Sequence, residues 1–231
     1  MEPYLWVLVL AGLVSMDTTA GPQLLFSEPI VSCTLAGWLF GDIGLGVSLG
    51  ILFQMLWIGY LPLGAARFTD NNLGSLVATA SALGTAQLFR DPGTVGYACT
   101  IPTMLYGVLV SIGGMHARDR VRRMNGIRTE KFLDALDAGR DVSVTRVHLA
   151  GVAASFGKGV GLALVLIPVG ILFLSFIPAL PVSMTNALED GARFIAGAAA
   201  ASALLFYWKR EWYALVSLGA IGGLAWTLMS N

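Results

Sequence analysis

The residues equipped for chemistry in this chain are polar groups stranded in apolar sequence. The run from Glu28 to Asp70 is strongly hydrophobic, yet it carries Glu28, Asp42, Gln54 and Asp70 and is broken by glycines and prolines. An ionisable side chain at membrane depth costs about 2.5–3.5 kcal/mol even on the lenient insertion scale, so such groups mark a pathway or a site. Gln54, in GILFQMLWIG, is the one strongly polar side chain between Ser48 and Arg67. Trp57 follows three residues later and shares its helical face. An amide beside an indole suits a sugar ring, with the apolar C–H face on the aromatic and the hydroxyls on the amide. The competing reading of Gln54 is interhelical glue, worth about 0.6 kcal/mol on average.

Three further groups belong to this polar set. Asp17, in SMDTTAGPQ, follows a short apolar run and reads either as an interfacial acid or as a carboxylate at a helix break aimed into a cavity. Gln23 follows Pro22 and offers both a donor and an acceptor. Asp70, Asn71 and Asn72 cluster after the small-residue segment Gly64-Ala65-Ala66. Thr69 or Asp70 is placed to cap a helix beginning near Leu73. Capping accounts for one of them, and helix ends beside unwound backbone are where transporters place binding sites. Asp42 reads as a turn at the membrane surface, and Gly41, Gly44, Gly46 and Gly50 as close helix packing. Lys158 is either a snorkelling surface residue or a buried partner for an acid such as Asp17 or Asp70. His148 reads equally as interfacial or functional.

The elements that position these groups are membrane helices. The chain has 231 residues, 56% hydrophobic and 12% charged, against about 25% charged in soluble domains, and its mean hydropathy is +0.74. Glycine, at 28 residues, fits close helix approach and broken helices. The fold expected is an all-α integral membrane protein, a polytopic bundle with broken helices and re-entrant hairpins, in one domain over 1–231. Its divisions are 1–115 with the site, a basic loop or amphipathic helix over 116–149, and C-terminal helices over 150–231. The N-terminus lacks the basic flank of a signal peptide and reads as a retained membrane segment.

Candidate spans are Ile43–Ala66, Leu73–Phe89, Val95–Met115, Val147–Ile177, Arg193–Trp208 and Trp212–Met229. Within the first 42 residues Tyr4–Ser15 and Ile30–Phe40 are too short to span, which predicts one or two re-entrant hairpins there. Eight of the fourteen Lys and Arg residues fall between His116 and Leu149. The positive-inside rule makes that loop cytoplasmic, and Lys209 and Arg210 lie two spans on, on the same side. Residues 117–138 look amphipathic and read as a surface helix or a docking platform. Zero net charge gives no sign of nucleic-acid binding. Cys33 and Cys99 are far apart, in apolar runs, and read as small buried hydrophobes. No metal-ligand spacing, nucleophile elbow or phosphate-binding loop is present, so no catalytic residue, metal or cofactor is expected.

One stretch resembles a known family. Pro29-Ile30-Val31-Ser32-Cys33-Thr34-Leu35-Ala36-Gly37, Leu39-Phe40-Gly41-Asp42, Gly46 through Gly50, Leu52-Phe53-Gln54-Met55 and Gly59 through Ala66 to Asp70 resemble the IIC membrane subunit of the mannose–fructose–sorbose family of the phosphoenolpyruvate-dependent sugar phosphotransferase system. The resemblance implies a permease of the bacterial cytoplasmic (inner) membrane that binds a hexose or amino sugar and moves it inward by an elevator-like step. It implies a IID membrane partner, trimers of IIC–IID pairs, and cytoplasmic IIA and IIB phosphocarriers whose histidines hold the phosphate. The chain itself is then a transporter subunit and not an enzyme. The sugar contacts it implies are Asp17, Gln23, Gln54 and Asp70, with Asn71 beside them. Two other readings are a non-transporting regulatory or assembly subunit of an incomplete system, and an ion-coupled secondary transporter that uses the same acids as carriers.

Overall fold

The computed structural model describes residues 2–18, 20–21, 23–58, 68–89 and 98–206. The expectations for Pro62, Gly64–Arg67, Lys209-Arg210 and Trp212–Met229 fall outside the described residues. Seven α-helices are described: α1 (Glu2–Asp17), α2 (Pro29–Phe40), α3 (Ile43–Trp57), α4 (Asn71–Phe89), α5 (Thr100–Asp137), α6 (Val144–Leu174) and α7 (Val182–Phe206). A single 3₁₀ turn, Ile177–Ala179, joins the last two, and no strand occurs among the described residues.

The α2–α3 pair is a tight helical hairpin. Pro29 opens α2 at a position where its missing N–H costs nothing. Gly41 ends that helix in the left-handed region at φ 82°, and Asp42 starts the next, its carboxylate accepting from Leu45 N–H at 2.9 Å. The two backbones then touch. A Cβ on Gly46 would lie 2.6 Å from the Cys33 carbonyl oxygen and 2.8 Å from Gly37 Cα. The expected hairpin therefore exists, but its second arm is Ile43–Trp57, and it straddles the boundary drawn at residue 42. The span expected over Ile43–Ala66 is described as a helix only to Trp57.

At the centre lies α4. Every residue from Leu73 to Ala86 is buried, because Gly, Ser, Ala and Thr present little bulk and let neighbours approach from all sides. Its hydroxyls fold back on the helix: Ser75 to Asn71 O, Ser81 to Val77 O and Thr85 to Ser81 O, each at 2.8 Å. Against α4 pack α5, α6 and α2. Helix α1 packs chiefly on α6 and also touches α4 and α2; its Ser15 hydroxyl donates to the Ser155 carbonyl at 2.8 Å. Near Pro168 in α6, the Tyr106 hydroxyl donates to Leu166 O at 2.5 Å and Ser81 to Ile167 O at 3.3 Å.

Helix α5 runs across the division drawn at 115/116. It runs unbroken for 38 residues, about 57 Å at 1.5 Å per residue, against a hydrocarbon core of about 30 Å. The boundary placed at 115/116 falls inside it. The amphipathic segment is its continuation, with Met124, Ile127, Leu133 and Leu136 exposed, not a separate helix lying on the bundle. Likewise α7 begins at Val182, eleven residues before the span expected from Arg193.

Large apolar side chains also face outward, among them Leu5, Trp6, Trp38, Leu105, Leu109, Leu164, Val165 and Leu172. A water-soluble surface does not carry so many, and a bilayer accepts them. By length and apolarity Val144–Ala179 suffices to cross a membrane, and Pro29–Phe40 and Ile43–Trp57 are shorter apolar helices. The protein is an all-α integral membrane bundle with short helices paired as a hairpin.

Candidate functional site

The hairpin begins at a polar knot. Backbone N–H groups in the first turn of a helix have no partner within it, and the Glu28 side chain does not cap α2. Gln54 of α3 supplies the cap: Ile30 N–H donates to Gln54 Oε1 at 3.3 Å, while Gln54 Nε2 donates to Glu28 Oε2 at 2.8 Å. Glu28 and Gln54 line a cavity of about 150 Å³ together with Trp57, Phe68, Asn71 and Asn72. Trp57 is anchored by its indole N–H, which donates to Ser75 Oγ at 3.1 Å. Thr69 donates its hydroxyl to Asn71 Oδ1. The wall thus offers one carboxylate, one guanidinium, three side-chain amides and an indole. Such groups supply both donors and acceptors for a hydroxyl-rich molecule.

A second, larger cavity of about 380 Å³ adjoins the first and shares Thr18, Phe68 and Arg118 with it. Its own residues include Gln23, Arg122, Asn125, Ser155 and Lys158. Beneath it lies a buried charge cluster. Asp70, 1% exposed, holds Arg118 Nη2 at 2.6 Å from Oδ1 and Lys158 Nζ at 2.5 Å from Oδ2. The Arg118 and Lys158 side chains are 5% and 6% exposed. Arg118 also reaches the Phe68 and Thr69 carbonyls at 3.3 and 3.5 Å and stacks over the Phe68 ring at 4.2 Å. One α5 side chain thereby fixes the chain entering α4. Asp70 N–H adds a bond to the Ser111 carbonyl at 2.9 Å.

Four of the five site residues expected from sequence border these cavities or the cluster beneath them, in separate roles. Gln54 and Asn71 line the first cavity and Gln23 the second. Asp70 lies below, neutralised by two cations. Asp17 lines neither cavity: its Oδ1 accepts from Leu24 N–H at 2.5 Å and its Oδ2 from Ser27 N–H at 3.1 Å. It braces the loop in which Gln23 and Leu25 take positive φ of 54° and 65°. Lys158 is the buried partner of Asp70, one of its two sequence readings. Arg118 was missed, because it was counted among the charges of a cytoplasmic loop. Its signal lies in its period: Gly107, Ser111, Gly114 and Arg118 continue one buried face of α5 past the apolar half of the helix. Glu28, which the sequence left without a role, stands in the knot.

The fold and this buried polar centre define a polytopic helical membrane protein with an internal polar cavity. The family described as the PTS system sorbose-specific IIC component matches residues 3–221, and the chain belongs to that family. Among characterised relatives, the sorbose-specific EIIC component of Klebsiella pneumoniae is 23% identical over 73% of this chain and 60% of its own length. The mannose-specific EIIC component of Escherichia coli (strain K12) is 30% identical over 38% of this chain and 31% of its own. The alignments thus span less than two thirds of these relatives. Among solved structures, the mannose transporter ManYZ in complex with microcin E492 superposes with a TM-score of 0.57 at 20% identity, covering 100% of this chain and 95% of that one. A structure described only as a membrane protein gives 0.63 at 21% identity, covering 98% and 94%. At these identities the superpositions speak for the fold.

Proposed function

We propose that this chain is the sugar-binding and sugar-translocating IIC subunit of a phosphoenolpyruvate-dependent phosphotransferase system in the bacterial inner membrane. It takes a hexose or amino sugar from outside and releases it inward for phosphorylation by a IIB domain. The observation that carries this reading is the Glu28–Gln54 knot, which places a carboxylate and an amide beside Trp57 at the mouth of a helical hairpin, in a chain of this family. Gln54 and Asn71 are the direct sugar contacts, joined by Glu28. Gln23 meets the sugar from the second cavity. Asp17 and Asp70 act by holding the loop and the start of α4 in place. Movement of the hairpin against α4, α5 and α6 is the elevator-like step.

The subunit works with a IID membrane partner, as trimers of IIC–IID pairs, and with cytoplasmic IIA and IIB domains that carry the phosphate on their own histidines. The basic half of α5 and its following loop face the cytoplasm. The test is phosphoenolpyruvate-dependent uptake of labelled hexoses and amino sugars in cells expressing the chain with IID and IIAB partners. Uptake is expected, falling at least tenfold in Gln54→Ala. Uptake indifferent to phosphoenolpyruvate but abolished by an uncoupler would refute the reading in favour of an ion-coupled carrier.

A further inference from the structure

Charge does not balance around the second cavity. Arg118, Arg122 and Lys158 border it, and no Asp or Glu is among its described lining residues. Among the described residues Asp70 is the one carboxylate that reaches these cations, and it pairs with Arg118 and Lys158. Three cations against one carboxylate leave a formal excess of two positive charges. Arg122 has no carboxylate partner among the described residues; its guanidinium lies 5.3 Å from the same Phe68 ring that Arg118 covers at 4.2 Å. Two guanidinium groups gathered on one ring repel each other unless an anion lies between them. Within the buried Arg118 side chain, Nε is itself enclosed and has no hydrogen-bond partner. Neutral donors and acceptors complete the wall: Thr18, Gln23, Asn125 and Ser155. Guanidinium forks with hydroxyl and amide neighbours are the donor set that recognises phosphate oxygens.

We propose that this cavity binds the phosphate of a phosphate monoester whose hydroxylated remainder reaches into the hairpin cavity across the shared residues Thr18, Phe68 and Arg118. Arg122 is the principal donor, Arg118 and Lys158 add positive charge at the wall, and Asn125 supports them. A hexose 6-phosphate has this form, so the site holds a sugar in its phosphorylated state next to the place that holds it free. The hydroxylated half rests on the sugar reading above; the phosphate half rests on the cations alone.

The experiment is equilibrium binding of labelled inorganic phosphate, mannose 6-phosphate, glucose 6-phosphate and the free hexoses to the full-length chain in phosphatidylcholine nanodiscs. Saturable, salt-sensitive binding of phosphate and of at least one hexose phosphate is expected. Arg122→Gln and Asn125→Asp should each weaken both by about tenfold and leave free-hexose binding unchanged. Arg122 is exposed and pairs with no acid among the described residues, so its replacement spares the Asp70 cluster. Absence of phosphate binding, or equal affinity in wild type and both variants, overturns the proposal. If phosphatidylglycerol nanodiscs abolish the phosphate signal, the cavity is a lipid-headgroup site, which also overturns it. Phosphate binding without any hexose binding refutes the sugar reading and leaves the anion site standing. Hexose binding without phosphate binding does the reverse.

Discussion

The two cavities share three residues yet are built on opposite electrostatic plans. The hairpin cavity keeps its one carboxylate, Glu28, half-exposed and hydrogen-bonded to a neutral amide. The basic cavity stands over a carboxylate, Asp70, sunk out of reach and held by two cations. Both acids lie in the same anomalous run of sequence. What separates them is the neighbour each meets. Glu28 meets Gln54 from the adjoining arm of one hairpin. Asp70 meets Arg118 and Lys158 from two long helices that cross behind α4. An acid paired within a hairpin is free to move with it and to bind a ligand. An acid shared by three helices pins those helices together. We read the first arrangement as the moving, sugar-facing half of the molecule and the second as its fixed frame.

The largest effect that tests this contrast is the loss of Asp70. Asp70→Ala leaves Arg118 and Lys158 buried without their counter-charge, and a cost of about 3–5 kcal/mol is expected. Denaturant titration of the purified chain in mild detergent measures it, and a shift no larger than that of Gln54→Ala would erase the distinction between frame and site. Next comes Gly46→Ala. Its new Cβ meets backbone, not a flexible side chain, 2.6 Å away, so the hairpin arms must part at about 1–3 kcal/mol. In the same assay it should destabilise more than Gly113→Ala, whose Cβ enters open space.

Lys158→Met is expected to cost less than Asp70→Ala, about 1–3 kcal/mol, because Asp70 and Arg118 remain as a balanced pair. Added to Asp70→Ala it should restore part of the lost stability, a coupling that a double-mutant cycle reads directly. Additive losses would mean the three groups do not act as one cluster. Smallest in stability is Gln54→Ala, about 1 kcal/mol for the freed Ile30 N–H, although its effect on sugar binding is large.

Much of this design is legible in the chain itself. The apolar composition, the Gly41-Asp42 turn, the short helix before it and the Gln54–Trp57 pair follow from local rules of capping, helix breaking and periodicity. The role of Asp70 does not. Its acid type and its position before a helix were readable, but its partners lie 48 and 88 residues further along. Arg118 looked like one of eight loop cations because α5 outruns the membrane without any break in helical pattern, and hydropathy marks where apolarity ends, not where a helix ends. Asp17 illustrates a different difficulty. One of its two sequence readings puts a carboxylate at a helix break, and the break is there, but the N–H groups of the loop with two positive-φ residues are the nearer claim on it.

The claim that the hairpin cavity is the sugar site is tested most directly by equilibrium binding of labelled hexoses and amino sugars to the purified chain with its membrane partner. Wild type, Gln54→Ala and Asp70→Asn are compared, with folding of each checked by size-exclusion profile. The account predicts that at least one sugar binds to wild type. It predicts that Gln54→Ala loses that binding while staying folded, and that Asp70→Asn, where folded, keeps most of it. Undiminished binding in folded Gln54→Ala would contradict it.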